Sequence, residues 1–403
     1  MIVVGGTYQE VCLEPYWDNV YGSGLRACEA ILTLNPEVEI NFHTFCDEGT
    51  VKRLESTRGV FSRFNYSFAP IPKTVRFYYD HPLREPLIFP RLDIINSDQN
   101  QLCVDGNDIL YYGFIEGSAI VNGQRIVYDP QSPSNPKLFS QTGSKADQLV
   151  YVINMGEARI LSGVSNIEDI IAFFFHKENA HLLVLKMGAQ GALVADRLGS
   201  REVIPVYKTS QVWNIGSGDV FAGIFAHYWF LSNDAVESAR KASWYTAFYC
   251  NSKTFSDKPV NSDPQITPLI IQKRPRGTIY LAGPFFTYAE RWLVDQVRNA
   301  FLSFGLKVFS PWHDVGYGIA SEVVKKDLNA LDGAAIVFAV LDGLDSGTLF
   351  EIGYAIKSEI PVVGYVENES SESVKMLEGT DCILERDLTT AVYKCFWKMA
   401  ENE

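Results

Sequence analysis

A chain of 403 residues exceeds what one hydrophobic core usually serves, so two domains are expected, and an apolar fraction of 47% supports compact folding. A formal charge of −13 argues against nucleic acid or an acidic membrane as partner, because those surfaces are anionic and reward clustered Lys and Arg. A small phosphorylated ligand, which needs only a local cation and helix-terminal amides, stays open.

In chain order, the opening MIVVGGTYQE reads as a strand (Ile2 to Val4) running into a Gly5-Gly6 turn, without the basic and long apolar segments of a signal peptide or membrane span. Seven Cys with no CxxC pair read as reduced thiols of a cytoplasmic protein. A helix is predicted from about Gly24 to Leu34. Residues 41–90, rich in aromatic and β-branched residues with Pro breaks, suggest short antiparallel strands covering a site, and the aromatic stretch 61–79 reads either as a lid or as apolar cover for a sheet. From Asp108 the runs ILYYGFI, RIVYDP, QLVYVINM, HLLVLKMG and GALVAD predict a largely parallel sheet flanked by helices. Two packed helices follow, Asp219 to Leu231 and Ala235 to Cys250. Residues 261–276 lose periodicity and read as a linker between domains at 1–260 and 277–403. A second α/β pattern then begins with a strand at Thr278 to Ala282. The helix after it carries Trp292, Leu293, Val297, Ala300, Phe301 and Phe304 as one apolar stripe. Strands at Lys307 to Phe309, Ala335 to Val340 and Val362 to Tyr365 and a helix at Leu349 to Lys357 complete it.

The sharpest local signal in the first domain is Val212-Trp213-Asn214-Ile215-Gly216-Ser217-Gly218-Asp219. Small residues at 216–218 permit a tight turn, and the free amides of the following helix favour phosphoryl oxygens. Asp219 either takes a proton from an attacking hydroxyl or merely caps the helix. The segment resembles the signature of the ribokinase family of PfkB-type sugar kinases. Gly5-Gly6, Gly22-Ser23-Gly24, Asn154-Met155-Gly156-Glu157 and Lys186-Met187-Gly188-Ala189-Gln190-Gly191 resemble further family elements in order, over about residues 1–260. The resemblance implies a ribokinase-like α/β fold with a small β lid, Asp219 as catalytic base, and Gly216, Ser217 and Gly218 around the transferred phosphoryl. It also implies ATP near Lys186, Gly188 and Gly191, and Mg²⁺ organised indirectly by Asn154 and Glu157. Glu10 stands at an expected sugar-binding Asp and Arg26 near a usual Asn. Reach and donor character both change there, so either substrate choice has moved or the domain binds without catalysing.

In the second domain the groups Tyr280-Leu281-Ala282-Gly283-Pro284-Phe285-Phe286, Pro311-Trp312-His313-Asp314 and Asp345-Ser346-Gly347-Thr348-Leu349-Phe350-Glu351 fall after strands, where one pocket reaches them. Thr348 and Glu351 have capping-box spacing, which would put the Glu351 carboxylate in the first helical turn and favour its ionised form. Together the groups resemble nucleoside 2-deoxyribosyltransferases and the related nucleoside 5'-monophosphate N-glycosidases. The resemblance implies a flavodoxin/Rossmann-like parallel-sheet domain that needs no cofactor. Glu351 would be the nucleophile on the anomeric carbon, Asp345 a sugar or base contact, and Tyr280, Gly283, Phe285 and Phe286 pocket walls, with Gly347 in the sugar-side turn. An acid for the leaving base, which the resemblance implies near Ala335, is missing, so either Asp332 substitutes after a local shift or the assistance comes from elsewhere. Deoxyribosyl transfer between small nucleosides is placed first. Hydrolysis of a 5'-monophosphate, beside a kinase-like domain kept for ligand binding or oligomerisation, is second. Homo-oligomers are expected from the resemblance.

Overall fold

The computed structural model describes residues 1–59, 62–95, 100–132 and 135–402, so Phe61, at the head of the aromatic stretch, lies outside the described residues. The chain divides into a first unit, Met1–Thr209 with Trp213–Ile270, and a second, Ser210–Val212 with Ile271–Glu403.

The first unit is built on a mixed nine-stranded sheet. Its strands run parallel from Asn65–Pro70 through Asn41–Cys46, Ile2–Val4, Gln101–Tyr112, Ser118–Asp129 and Lys145–Asn154 to Leu182–Lys186, and two antiparallel strands, Ala192–Asp196 and Arg201–Ile204, close the far edge. The continuous apolar runs follow from burial on both faces: Val150 and Val152 enter one core, while Leu149, Tyr151 and Ile153 enter the other. Helices Gly22–Leu34, Ser217–Ser232 and Ala235–Ser252 supply the first core, and Met155–Ser162 and Ile167–His176 the second.

Residues 41–90 depart from the sequence expectation. Asn41–Cys46 and Asn65–Pro70 are parallel strands of the main sheet, separated by the helix Glu48–Arg58, which Asp47 caps and Gly59 ends in the left-handed region. Only Arg76–Tyr79 and Leu87–Phe89 join a separate four-stranded sheet, and its other half, Gln9–Cys12 and Trp17–Val20, comes from the stretch between the Gly5-Gly6 turn and the first helix, for which no strand is expected. Short alternating strands carry too little periodicity to reveal which sheet they enter. Likewise Thr267–Leu269, within the stretch read as a linker, pairs with Val206–Lys208 as part of the first unit.

The second unit is a five-stranded parallel sheet ordered Lys307–Phe309, Thr278–Ala282, Ile336–Val340, Val362–Tyr365 and Ile383–Glu385. This is the 2-1-3-4-5 order of flavodoxin-like sheets, which places a crevice where the winding reverses, between Thr278–Ala282 and Ile336–Val340. Among the described residues no helix is long and apolar enough to cross a membrane.

Candidate functional site

In the first unit Glu10, Arg26, Gln131, Gly216 and Asp219 border one cavity of about 180 Å³, walled by the rings of Tyr8, Phe77 and Tyr79. The lid strand Gln9–Cys12 brings Glu10, the helix Gly22–Leu34 brings Arg26, and the first turn of Ser217–Ser232 brings Asp219. Arg26, 1% exposed, bridges the two carboxylates: Nη1 donates to Asp219 Oδ2 at 2.6 Å and Nη2 donates to Glu10 Oε2. Burial works against the Arg26 charge, but the carboxylates, Glu10 above all, more than offset it and hold the guanidinium well above its ordinary pKa. Gln131 Nε2 donates to the other Asp219 oxygen, and Gly22 N–H donates to Glu10 Oε1 at 3.1 Å. Both Asp219 oxygens therefore already hold donors, and an arriving hydroxyl shares them.

Three adjacent strands end in Asp129, Asn154 and Lys186, which gathers a second polar group beside the first. Lys186 Nζ lies 2.5 Å from Asp129 Oδ2 and 3.4 Å from where a side chain on Gly218 would begin. Asn154 and Glu157 form a reciprocal capping box for Met155–Ser162, with Glu157 N donating to Asn154 Oδ1 at 2.9 Å. Burial pushes Asp129 up to about 6, against the pull of Lys186, and burial with the Asp129 charge pushes Glu157 up to about 7. Gly188 borders open space, whereas Gly191 is packed under the Ile204 carbonyl, so only a glycine fits. Among the described residues no three His, Cys, Asp or Glu side chains are arranged to hold a metal directly. Two carboxylates around one ammonium do leave surplus negative charge, which fits a hydrated cation arriving with phosphates.

In the second unit Tyr280, fully buried on Thr278–Ala282, donates its hydroxyl to Glu351 Oε1 at 2.6 Å. The structure corrects the capping expectation: Asp345, not Thr348, caps Ser346–Lys357, accepting from Thr348 N at 2.9 Å and Thr348 Oγ1 at 3.1 Å. Glu351 consequently lies in the second turn, beyond the helix-end field, and its carboxyl is not held ionised. Burial pushes it up to about 7; the Tyr280 hydroxyl pulls it down, and the charges of Asp327 and Asp345 raise it further.

Asp327 was missed by sequence. Burial raises its own pKa, and its Oδ1 is buried with no hydrogen-bond partner among the described residues. Of the two alternatives for the acid missing near Ala335, Asp332 or a group elsewhere, Asp332 accepts from the Tyr354 hydroxyl at 2.7 Å. Five residues along one helix, the two side chains lie roughly 140° apart. A signal existed: Asp327 is four residues from both Val323 and Leu331, a carboxylate on an apolar stripe.

Aromatic rings gather at the ends of the first two strands. Phe285 stacks on Trp312 at 5.8 Å and on the exposed Phe286 at 5.4 Å, and the Arg291 guanidinium lies 5.3 Å from the Trp312 ring centre. Gly283 lets this turn approach Val340 closely. Gly347 is exposed in the first turn of the helix. His313 and Asp314 brace the loop, His313 Nε2 bonding Asp295 at 2.8 Å and Asp314 accepting from Ser310 N at 2.8 Å.

Residues 114–259 match the pfkB family carbohydrate kinases, and residues 279–385 match nucleoside 2-deoxyribosyltransferase. The chain fuses a PfkB/ribokinase-like domain to a deoxyribosyltransferase-like domain. Both carry the signatures of catalytic domains. The kinase-like part resembles the deoxyribokinases of Salmonella typhi and Salmonella typhimurium, each 30% identical over 137 residues, 33% of this chain. The match spans 43% of the length of those curated relatives. Similar solved structures include a pyrophosphate-dependent kinase of the ribokinase family complexed with a pyrophosphate analog and myo-inositol (13% identity, 64% of this chain and 98% of that one, TM-score 0.46). Another is fructokinase from Vibrio cholerae O395 with fructose, ADP and calcium ion (17% identity, 63% and 94%, TM-score 0.46).

Proposed function

We propose that the transferase-like domain breaks the N-glycosidic bond of a deoxynucleoside through Glu351. The observation that carries this is the 2.6 Å hydrogen bond from Tyr280 to a Glu351 carboxyl whose pKa lies near 7, so that a nucleophilic carboxylate is both aimed and available at neutral pH. A Glu351 oxygen bonds to the anomeric carbon as the carbon–nitrogen bond breaks, and the electron pair leaves with the base. Asp327, whose hold on a proton burial strengthens, is the group assigned to give that base its proton. The Phe285–Trp312 stack is a platform for the planar base. A second base then takes the sugar with retained configuration; water in its place gives hydrolysis. Apolar Phe285 and Phe286 at this mouth favour an unphosphorylated nucleoside over a 5'-monophosphate.

In the kinase-like domain, Asp219 orients a sugar hydroxyl for phosphoryl transfer from ATP, and the likeness to deoxyribokinases supports a deoxy sugar as acceptor. Mg²⁺ would be held through Asp129 and Glu157 with Asn154 beside them, and when bound it neutralises the donor phosphates. The two activities then handle the same sugar.

One panel tests both domains. Deoxynucleosides mixed with free bases are followed by chromatography for new nucleosides or free sugar, and ATP consumption is followed with deoxyribose and with deoxynucleosides. Glu351→Ala should abolish the first and Asp219→Ala the second; undiminished turnover in either folded variant removes the corresponding assignment.

A further inference from the structure

The helix Ser217–Ser232 begins at Gly216, whose φ of 77° is open mainly to glycine. A second reason for that glycine lies outside the turn. A side-chain carbon on Gly216 would overlap Nε and Cζ of Arg26, so the guanidinium packs directly on the first residue of the phosphate cradle. Nη1 and Nη2 are engaged by Asp219 and Glu10, but the Nε–H is buried at this contact with no hydrogen-bond partner among the described residues. A buried donor without an acceptor is destabilising, and an anionic oxygen at the cradle would satisfy it. At the other end of the turn, the Lys186 ammonium stands beside Gly218. Two cations thus bracket residues 216–218, each tethered by carboxylates: Arg26 by Glu10 and Asp219, Lys186 by Asp129.

Given the phosphoryl transfer proposed above, on which this rests, we propose that Arg26 is a catalytic residue whose Nε–H and charge contact the transferred phosphoryl group at the 216–218 turn, opposite Lys186. As the acceptor hydroxyl oxygen bonds to phosphorus, the bond to the leaving nucleoside diphosphate breaks and its electron pair departs with the diphosphate. The hydroxyl proton passes to Asp219. Arg26 ties base and phosphoryl group into one unit, since the guanidinium that fixes the Asp219 oxygen also faces the moving charge. Lysine cannot substitute, because it keeps the charge but lacks the fork that engages both carboxylates and still presents Nε–H.

The test uses the full chain with Arg26→Lys, checked for folding by its thermal transition. The kcat for ATP-dependent phosphorylation should fall about 10²- to 10³-fold with the acceptor KM changed less than about threefold. Inorganic phosphate, titrated calorimetrically without metal, should bind at least about tenfold more weakly than to the wild type. Wild-type kcat in the variant, a loss confined to KM, or equal phosphate affinity makes Arg26 a structural strut and overturns the proposal while phosphoryl transfer stands. A wild-type chain that neither transfers nor binds phosphate removes the transfer itself. Should Arg26→Lys fail to fold, Gly216→Ala displaces the guanidinium from the cradle and must show the same kcat loss; an unchanged kcat there is equally fatal.

Discussion

Asp219 and Glu351 each lie in a helix that follows a loop, yet their surroundings are opposite in kind. Asp219 is held by donors on both oxygens, one of them a buried guanidinium. Glu351 is held by a single phenol, and the charges acting on it are those of two other carboxylates. The difference matches the chemistry proposed for each. Phosphoryl transfer asks mainly for orientation and compensating charge, which cations supply. Displacement at an anomeric carbon asks for a carboxylate that is aimed yet not neutralised by a tight ion pair, and a neutral phenol supplies that while opposing the rise imposed by burial and like charges.

The comparison breaks most sharply if each carboxylate is removed in turn. Glu351→Ala should lower base release or exchange by at least ~10³-fold, read by chromatography, with ATP-dependent phosphorylation unchanged. Asp219→Ala should lower phosphorylation by ~10²- to 10⁴-fold, read by coupled ADP release, and leave base exchange intact. Asp327→Asn should cost ~10²-fold with ordinary bases and far less with a base that departs unaided; equal losses on both remove its role as acid.

Tyr280→Phe sharpens the electrostatic side. Glu351 is raised above its ordinary value, so its ionised fraction, and with it kcat/KM, rises as pH climbs through about 7. The Tyr280 hydroxyl pulls that value down, so its loss should move the acid limb to higher pH, with a loss of ~10-fold at pH 6 that shrinks by pH 8.5. The same sign appears in stability: a carboxyl raised on folding binds more protons in the native state, so its domain loses stability as pH rises from about 4.5 to 7. Trp312→Ala, the smallest change, should raise KM for the base ~3- to 10-fold with kcat nearly constant, by initial rates.

Sequence by itself determined the elements with long apolar runs or fixed spacing. Parallel strands such as Lys145–Asn154 and Ile336–Val340 announce themselves because both faces are buried. The 216–219 turn and the Tyr280 and Glu351 motifs are legible because glycines, strand ends and helix starts leave local marks. Tertiary structure decided which strands form the lid, that Asp345 rather than Thr348 caps the helix, and that the charge of Asp327 rather than that of Asp332 acts on Glu351. It also decided that Arg26, a departure from the usual residue, joins Glu10 to an Asp219 that lies 193 positions further along the chain from Arg26. The physical reason is common to all but the Asp345 cap, which is a local choice between two candidate caps three residues apart. Pairing partners, burial and charge neighbours depend on residues distant in sequence, and a side chain's chemistry follows the field those neighbours create.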